Sequence, residues 1–195
     1  TDDLVITVLD ENGEAGSVWS PGICAVSAEN AFAEDYCDGN TSNQVTWSVV
    51  PTGDDDIGVN AVRINFGDGV GGAWFIKDDQ GLDLSDSAGG TLKFDIQLPP
   101  ETVTDGVIFK VENEYPQGTG AMPLDLEGYI PGTWKSFEIP IADLLASTNA
   151  EQNNPPGGRL SLAAVKAFLV LSPNGEAGLG TIGRPIQNCC GRPWR

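Results

Sequence analysis

Short runs in which apolar and polar side chains alternate limit the folds open to this 195-residue chain more than any other feature of its sequence. In residues 91–98, leucine, phenylalanine and isoleucine occupy every second position, and lysine, aspartate and glutamine lie between them. Successive side chains of a β-strand point to opposite faces, so this pattern predicts a strand with one buried and one solvated face. Similar alternation occurs at residues 45–50, 61–66, 73–77, 108–112 and 134–141, and runs rich in strand-forming residues occur at 4–9 and 165–171.

Turn residues separate these runs along the whole chain. The 25 glycines and 13 prolines are scattered, which is typical of turns between many short strands. A helical pattern is confined to residues 141–146 and 162–166. About eight short strands with almost no helix predict an all-β fold, an antiparallel β-sandwich of the jelly-roll type. One domain is expected at this length, and we place the sandwich at residues 1–178 and a divergent or irregular tail at residues 179–195.

The composition argues against several classes of function. The chain has no histidine, which removes Ser-His-Asp and Cys-His nucleophilic systems and imidazole zinc sites. With 28 acidic and 10 basic residues the formal net charge is -18, which disfavours nucleic acid and anionic membranes as partners. No apolar run reaches the length of about 18 residues that a membrane-spanning helix needs. We therefore expect a secreted, extracellular protein whose numbering begins after a removed signal peptide.

Four cysteines allow two disulfides in an exported protein. Cys24 and Cys37 flank a loop of alanines and acidic residues, and we expect them to be linked because the bond would close a long connection. Cys189 and Cys190 are adjacent, and their state is left open. The sequence has neither C-x-x-C spacing nor histidine, which argues against a metal site built from these cysteines.

Several motifs occur in an order that resembles a known family. They include D-L-S-D-S-A-G-G-T-L-K-F-D-I at residues 83–96, V-I-F-K-V-E-N-E-Y-P at residues 107–116 and G-T-W-K-S-F-E-I-P-I at residues 132–141. Together they resemble the galactose-binding-like β-sandwich module that is appended to marine bacterial exo-β-glucanases and laminarinases, over roughly residues 4–173. The segment after residue 179 departs from the strand with which that family usually ends.

The resemblance implies a function. It implies a non-catalytic carbohydrate-binding module that targets a covalently attached polysaccharide-degrading enzyme to a neutral polysaccharide. A β-glucan, laminarin or mixed-linkage glucan, is the favoured ligand. The resemblance also implies one structural calcium, for which Asp10 and Glu11 are the candidate ligands.

The candidate binding residues centre on the polar loop at residues 112–117. Proteins bind sugars by packing an aromatic ring against the C–H face of the pyranose and by meeting the hydroxyls with polar groups. Trp47 shares its face with two valines and is expected in the core. The aromatic candidates are Tyr115, Trp74, Trp19 and Trp134, and the polar candidates are Lys110, Glu112, Asn113 and Gln117. Each has a structural alternative, packing for the tryptophans and a solvated sheet face for the polar groups.

Two other functions remain open on sequence alone. A small β-sandwich glycan hydrolase or lyase would need paired carboxylates, and Glu112 and Glu114 fall on one predicted face. However, the E-x-D-x-x-E run that sandwich glucanases use is absent. The third possibility is a structural or adhesive sandwich that binds no ligand.

Overall fold

The computed structural model describes residues 21–27, 45–54, 58–66, 72–98, 107–114, 117–147, 159–173 and 189–190. Helix is limited there to α1 (Ile141–Ala146) and two single 3-10 turns, at Ser85–Ser87 and Leu162–Ala164. In these ranges no helix is long and apolar enough to cross a membrane. The strands are β1 (Pro21–Ser27), β2 (Val45–Asp54), β3 (Gly58–Phe66), β4 (Gly72–Leu82), β5 (Thr91–Gln97), β6 (Val107–Glu114), β7 (Gln117–Gly118), β8 (Met122–Pro123), β9 (Trp134–Pro140), β10 (Val165–Pro173) and β11 (Cys189–Cys190).

The strands form two antiparallel sheets. One has the order β1-β4-β10-β6-β7, with β8 paired to β6, and the other has the order β2-β3-β11-β5-β9. Successive strands repeatedly change sheet, as from β3 to β4, β4 to β5 and β5 to β6. This arrangement confirms the predicted antiparallel β-sandwich of the jelly-roll type.

The core lies between the two sheets and is built from the alternating residues of each strand. In β5, Leu92, Phe94 and Ile96 are buried, as the sequence pattern predicts. The Phe94 ring packs against Phe109 of the other sheet at 5.6 Å between centroids and against Phe137 at 5.5 Å. These contacts join β5, β6 and β9 into one apolar layer, and each buried aromatic ring contributes about 1.5–3 kcal/mol through burial. Trp47, expected in the core, packs against it and is partly buried.

Strand β10 contains an irregularity that decides which of its side chains reach the surface. Ala167 lies opposite Lys77 and Glu112, but the register then shifts, so that Val170 faces Lys110 while Leu171 faces Trp74. Leu169, at the shift, has a φ of 50°, a left-handed conformation that leucine rarely adopts. The shift is therefore a β-bulge, which buries Leu169 and turns Val170 back to the outer face.

The predicted domain boundary at residue 178 lies outside the described residues and stays a prediction. Within the predicted tail, Cys189 pairs with Val62 of β3 and with Ile96 of β5. This short strand therefore fills a place in the middle of the second sheet.

Candidate functional site

Six side chains on the outer face of the β1-containing sheet form a surface that we call the β4–β10–β6 patch: Phe75 and Lys77 from β4, Ala167 and Val170 from β10, and Lys110 and Glu112 from β6. Residues directly opposite each other in an antiparallel pair share a face. Ala167 is opposite Lys77 and Glu112, and Val170 is opposite Lys110. Phe75 is two residues from Lys77 on β4 and therefore points to the same side.

Lys110 and Glu112 are the polar centre of the patch. Their side chains are only 20% and 12% exposed, and the Lys110 Nζ lies 3.9 Å from the Glu112 Oε1. Burial raises the pKa of Glu112, and the positive charge of Lys110 offsets part of that shift. Desolvation next to a charged partner is a feature of binding and catalytic sites, and it is also found in purely structural ion pairs.

On the other side of the patch, Lys77 is also paired with a carboxylate. Its Nζ lies 2.9 Å from the Asp79 Oδ1. Each lysine of the patch thus has a carboxylate two residues further along its own strand. An evenly balanced set of ammonium and carboxylate groups offers donors and acceptors without a strong net field, which suits hydroxyl groups better than a charged ligand.

The hairpin that follows β6 holds Glu112 in place. A Cβ atom at Gly118 would lie 2.5 Å from the Val111 carbonyl oxygen and 2.8 Å from the Glu112 Cα, so only glycine lets β7 approach this closely. The buried Thr119 accepts a hydrogen bond from the Val111 N–H at its Oγ1 (3.1 Å) and donates its own N–H to the Val111 carbonyl (2.9 Å). These contacts fix the strand position from which the Glu112 side chain emerges.

Asn113 does not belong to the binding surface, and its prediction as a sugar ligand is wrong. The side chain points inward, and its Nδ2 donates to the backbone carbonyls of Ser161 (2.6 Å) and Ala164 (2.7 Å). Its Oδ1 accepts a hydrogen bond from the Ser161 N–H at 2.7 Å. Because these backbone groups take both amide atoms, Asn113 ties the end of β6 to the turn that leads into β10.

Trp74 is also misplaced by the sequence-based prediction. Its side chain is 1% exposed and belongs to the core, so the ring cannot stack on a ligand. The alternation of β4 directs Trp74 and Ile76 inward and leaves Phe75 and Lys77, both partly buried, on the outer face. The same alternation was visible in the sequence, where Trp74 shares a face with Ile76, and it would have identified Phe75 as the outward aromatic residue.

Trp134 lies far from Lys110 and Glu112. It opens β9 in the other sheet, opposite Gln97, and packs with Val50 against Ala61. These three residues are apart from the main core and lie on the outer face of that sheet. The two outer faces of a sandwich look in opposite directions, so Trp134 cannot share a site with the β4–β10–β6 patch. A separate contact of Trp134 with a sugar stays a prediction.

The remaining predicted residues divide into two groups. Gln117 is exposed and pairs with Glu114, at the end of the sheet next to the patch. Tyr115, Trp19, Asp10, Glu11 and Cys37 lie outside the described residues, and so the calcium site and the aromatic tip of the loop stay predictions. In the part of the chain that the structure describes, no three residues of the types Asp, Glu, Cys and His are grouped so that they could hold a metal ion.

Comparison with solved structures identifies similar folds. The chain is similar to a family 30 carbohydrate-binding module, with 17% identity and a TM-score of 0.54 over 95% of this chain and 94% of that chain. It also matches the family 11 carbohydrate-binding module of the cellulosomal cellulase Lic26A-Cel5E of Clostridium thermocellum, with 13% identity and a TM-score of 0.48 over 98% and 97% of the two chains. A family 11 module from Clostridium thermocellum in complex with a β-1,3-1,4-mixed-linked tetrasaccharide matches at 14% identity and a TM-score of 0.47, over 100% of both chains.

At this level of identity, the likeness to the family 30 module shows the sandwich fold. No family model matches the chain, and no curated protein matches it.

Proposed function

We propose that this protein is a non-catalytic carbohydrate-binding module that binds a neutral polysaccharide on the β4–β10–β6 patch and the adjoining loop at residues 112–117. The observation that carries the proposal is the pair Lys110 and Glu112, two polar side chains largely withdrawn from water in the middle of a sheet face. A sandwich fold of the kind found in a family 30 carbohydrate-binding module supports it.

The charge of the molecule favours a neutral ligand. The net charge of -18 repels sulfated and uronic-acid polymers over a distance of about 10 Å at moderate salt. Within the patch each lysine is close to a carboxylate, so no surplus positive charge is left to attract an anion. Hydroxyl groups can both accept from an ammonium and donate to a carboxylate. A β-glucan, laminarin or mixed-linkage glucan, is the ligand that we propose to test first.

The proposed biological role is targeting. A secreted module of this kind, covalently attached to a polysaccharide-degrading enzyme, raises the local concentration of substrate around the catalytic domain. One structural calcium, with Asp10 and Glu11 as ligands, remains part of this proposal.

Affinity electrophoresis tests the proposal most directly. The protein is run in native gels that contain laminarin, mixed-linkage β-glucan, an anionic uronic-acid polymer or no polymer. We expect slower migration in the β-glucan gels only. Lys110→Met should abolish the shift, because it removes the ammonium group from the patch. Glu112→Gln should weaken it, because an amide oxygen accepts a hydroxyl hydrogen bond less strongly than a carboxylate does.

Lys93→Met is the matched control. Lys93 also forms an ion pair with a glutamate, Glu138, at 2.7 Å, but on the outer face of the opposite sheet. It should therefore leave binding unchanged. Equal migration in all gels would overturn the proposal in favour of a structural sandwich, and release of reducing sugar from the same polymers would favour a hydrolase.

A further inference from the structure

We propose that Phe75 is the aromatic residue against which the bound sugar ring packs. This inference rests on the proposed function and identifies residues for the same site. It assigns to Phe75 the role that the sequence suggested for Trp74. The ligand it fits is a pyranose with one apolar C–H face and hydroxyls that radiate from the ring edge.

The alternation of side chains along β4 places Phe75 on the outer face of the sheet. Trp74 and Ile76 are buried in the core, so the residue between them must project from the opposite side of the sheet. Phe75 is that residue, and it is partly rather than fully buried. Among the described members of the β4–β10–β6 patch it is the aromatic one, and a flat ring is the surface that sugar C–H groups favour.

The residues around Phe75 on the outer face are partly apolar and partly polar. On β10 the bulge lies opposite Phe75, between the pairs Phe168–Ile76 and Leu171–Trp74. Val170, which the bulge turns outward, lies opposite Lys110. Phe75 and Val170, which is 9% exposed, thus form an apolar strip beside Lys77, Lys110 and Glu112. On the other side of Phe75, the fully buried Cys24 of β1 lies directly opposite it. An apolar base with polar groups at its edge matches the two kinds of surface on a pyranose.

Ala167 lies in the row of residues that crosses from β4 to β6. It lies directly opposite both Lys77 and Glu112, so it separates the two charged side chains in one cross-strand row. Strands β4 and β6 are two strand spacings apart, roughly 10 Å. Ala167 is 9% exposed, and Lys77 and Glu112 flank it as the polar edge of the site.

The test uses the whole protein and measures binding to laminarin and to mixed-linkage β-glucan by isothermal titration calorimetry and affinity gels. Phe75→Leu keeps much of the apolar volume but removes the flat ring. We expect binding at least about tenfold weaker, with a cooperative unfolding transition that shows the fold is retained. Phe75→Tyr retains the ring and should bind like the parent. Trp134→Leu, which removes a partly buried aromatic ring from the opposite face, should also bind like the parent.

If the parent binds and Phe75→Leu binds within about twofold of it, the inference is wrong while the proposed function stands. If the parent binds neither glucan, the proposed function fails, and this inference fails with it.

Discussion

At the scale of single residues, Glu112 is held where its charge is disfavoured. Burial raises the pKa of this carboxyl above its usual value, although Lys110 lies beside it. A raised pKa means that the folded protein binds a proton more tightly than the unfolded chain does. The contribution of this group to stability is therefore highest at pH values at which it is protonated in both states. It falls as the pH rises from the ordinary value of 4.5 through the higher folded value.

The variant Glu112→Gln tests whether the buried charge of this carboxylate lowers the stability of the fold. We expect it to be more stable than the parent at pH 7, because the amide carries no charge to bury, and to differ little from it below pH about 4. Urea unfolding at both pH values measures the change. Glucan binding should weaken in the same variant, which is typical of a residue kept for function at a cost in stability. Lower stability of the variant at pH 7 would contradict the expected sign.

Asn113, in contrast to Glu112, stabilises the fold. Its three hydrogen bonds to Ser161 and Ala164 satisfy partly buried backbone groups. Asn113→Ala should lower the free energy of unfolding by about 1–3 kcal/mol, since partly buried backbone donors and acceptors lose their partners. The exposed neighbour Gln117 provides the control, and Gln117→Ala should change stability by less than about 0.5 kcal/mol. Similar denaturation midpoints for the two variants would argue against the structural role of Asn113.

At the scale of secondary-structure elements, the β6–β7 hairpin depends on a single close approach. Gly118→Ala places a methyl group against the Val111 carbonyl oxygen, so the strands must separate, and we expect a loss of about 1–3 kcal/mol. Gly89→Ala is the matched control, since a Cβ there meets nothing within 4 Å. That variant should be neutral or slightly stabilising. The thermal unfolding midpoints of the two variants are compared. Equal midpoints would mean that the hairpin accommodates the methyl group without a loss of stability.

Strands β5 and β10 show which features of the fold could be predicted from the sequence and which could not. The alternation in β5 predicted both the strand and its buried face, because polar and apolar residues there take strictly alternate places. In β10 the run A-F-L-V-L is apolar throughout, so the pattern assigns no face, and the bulge at Leu169 was not predictable. The role of Asn113 was hidden for another reason, since its hydrogen-bond partners lie 48 and 51 residues away.

At the scale of the whole molecule, the two outer faces determine which candidates can act together. Lys110, Glu112 and Trp134 all belong to predicted strands with polar outer faces, and nothing in their local sequence separates them. The order of strands in the two sheets does, because β6 and β9 belong to opposite layers of the sandwich. The sequence predicted the type of fold, and it also named Lys110 and Glu112, whose role as sugar ligands stays a prediction. It could not predict which strands would be neighbours, since that depends on pairings between distant segments.

The same arrangement leads to the last prediction, the partner of Cys24. This residue is 0% exposed and disulfide-bonded. It pairs with Phe75 on β4, so it points to the outer side of its sheet. Cys189 and Cys190 belong to the other sheet, roughly 10 Å beyond the core-facing side. The two Cα atoms of a disulfide are about 4.4–6.8 Å apart, which leaves Cys37 as the partner within one chain.

Peptide mapping without reductant should therefore yield a linked pair that contains Cys24 and Cys37. Reduction should lower the free energy of unfolding by about 3 kcal/mol, because the bond restrains a loop of the unfolded chain. Double replacement of Cys24 and Cys37 by serine should have a similar effect, whereas replacement of Cys189 and Cys190 should leave the linked peptide intact. A peptide that joins Cys24 to Cys189 or Cys190 would show instead that the C-terminal segment reaches the outer side of the β1-containing sheet.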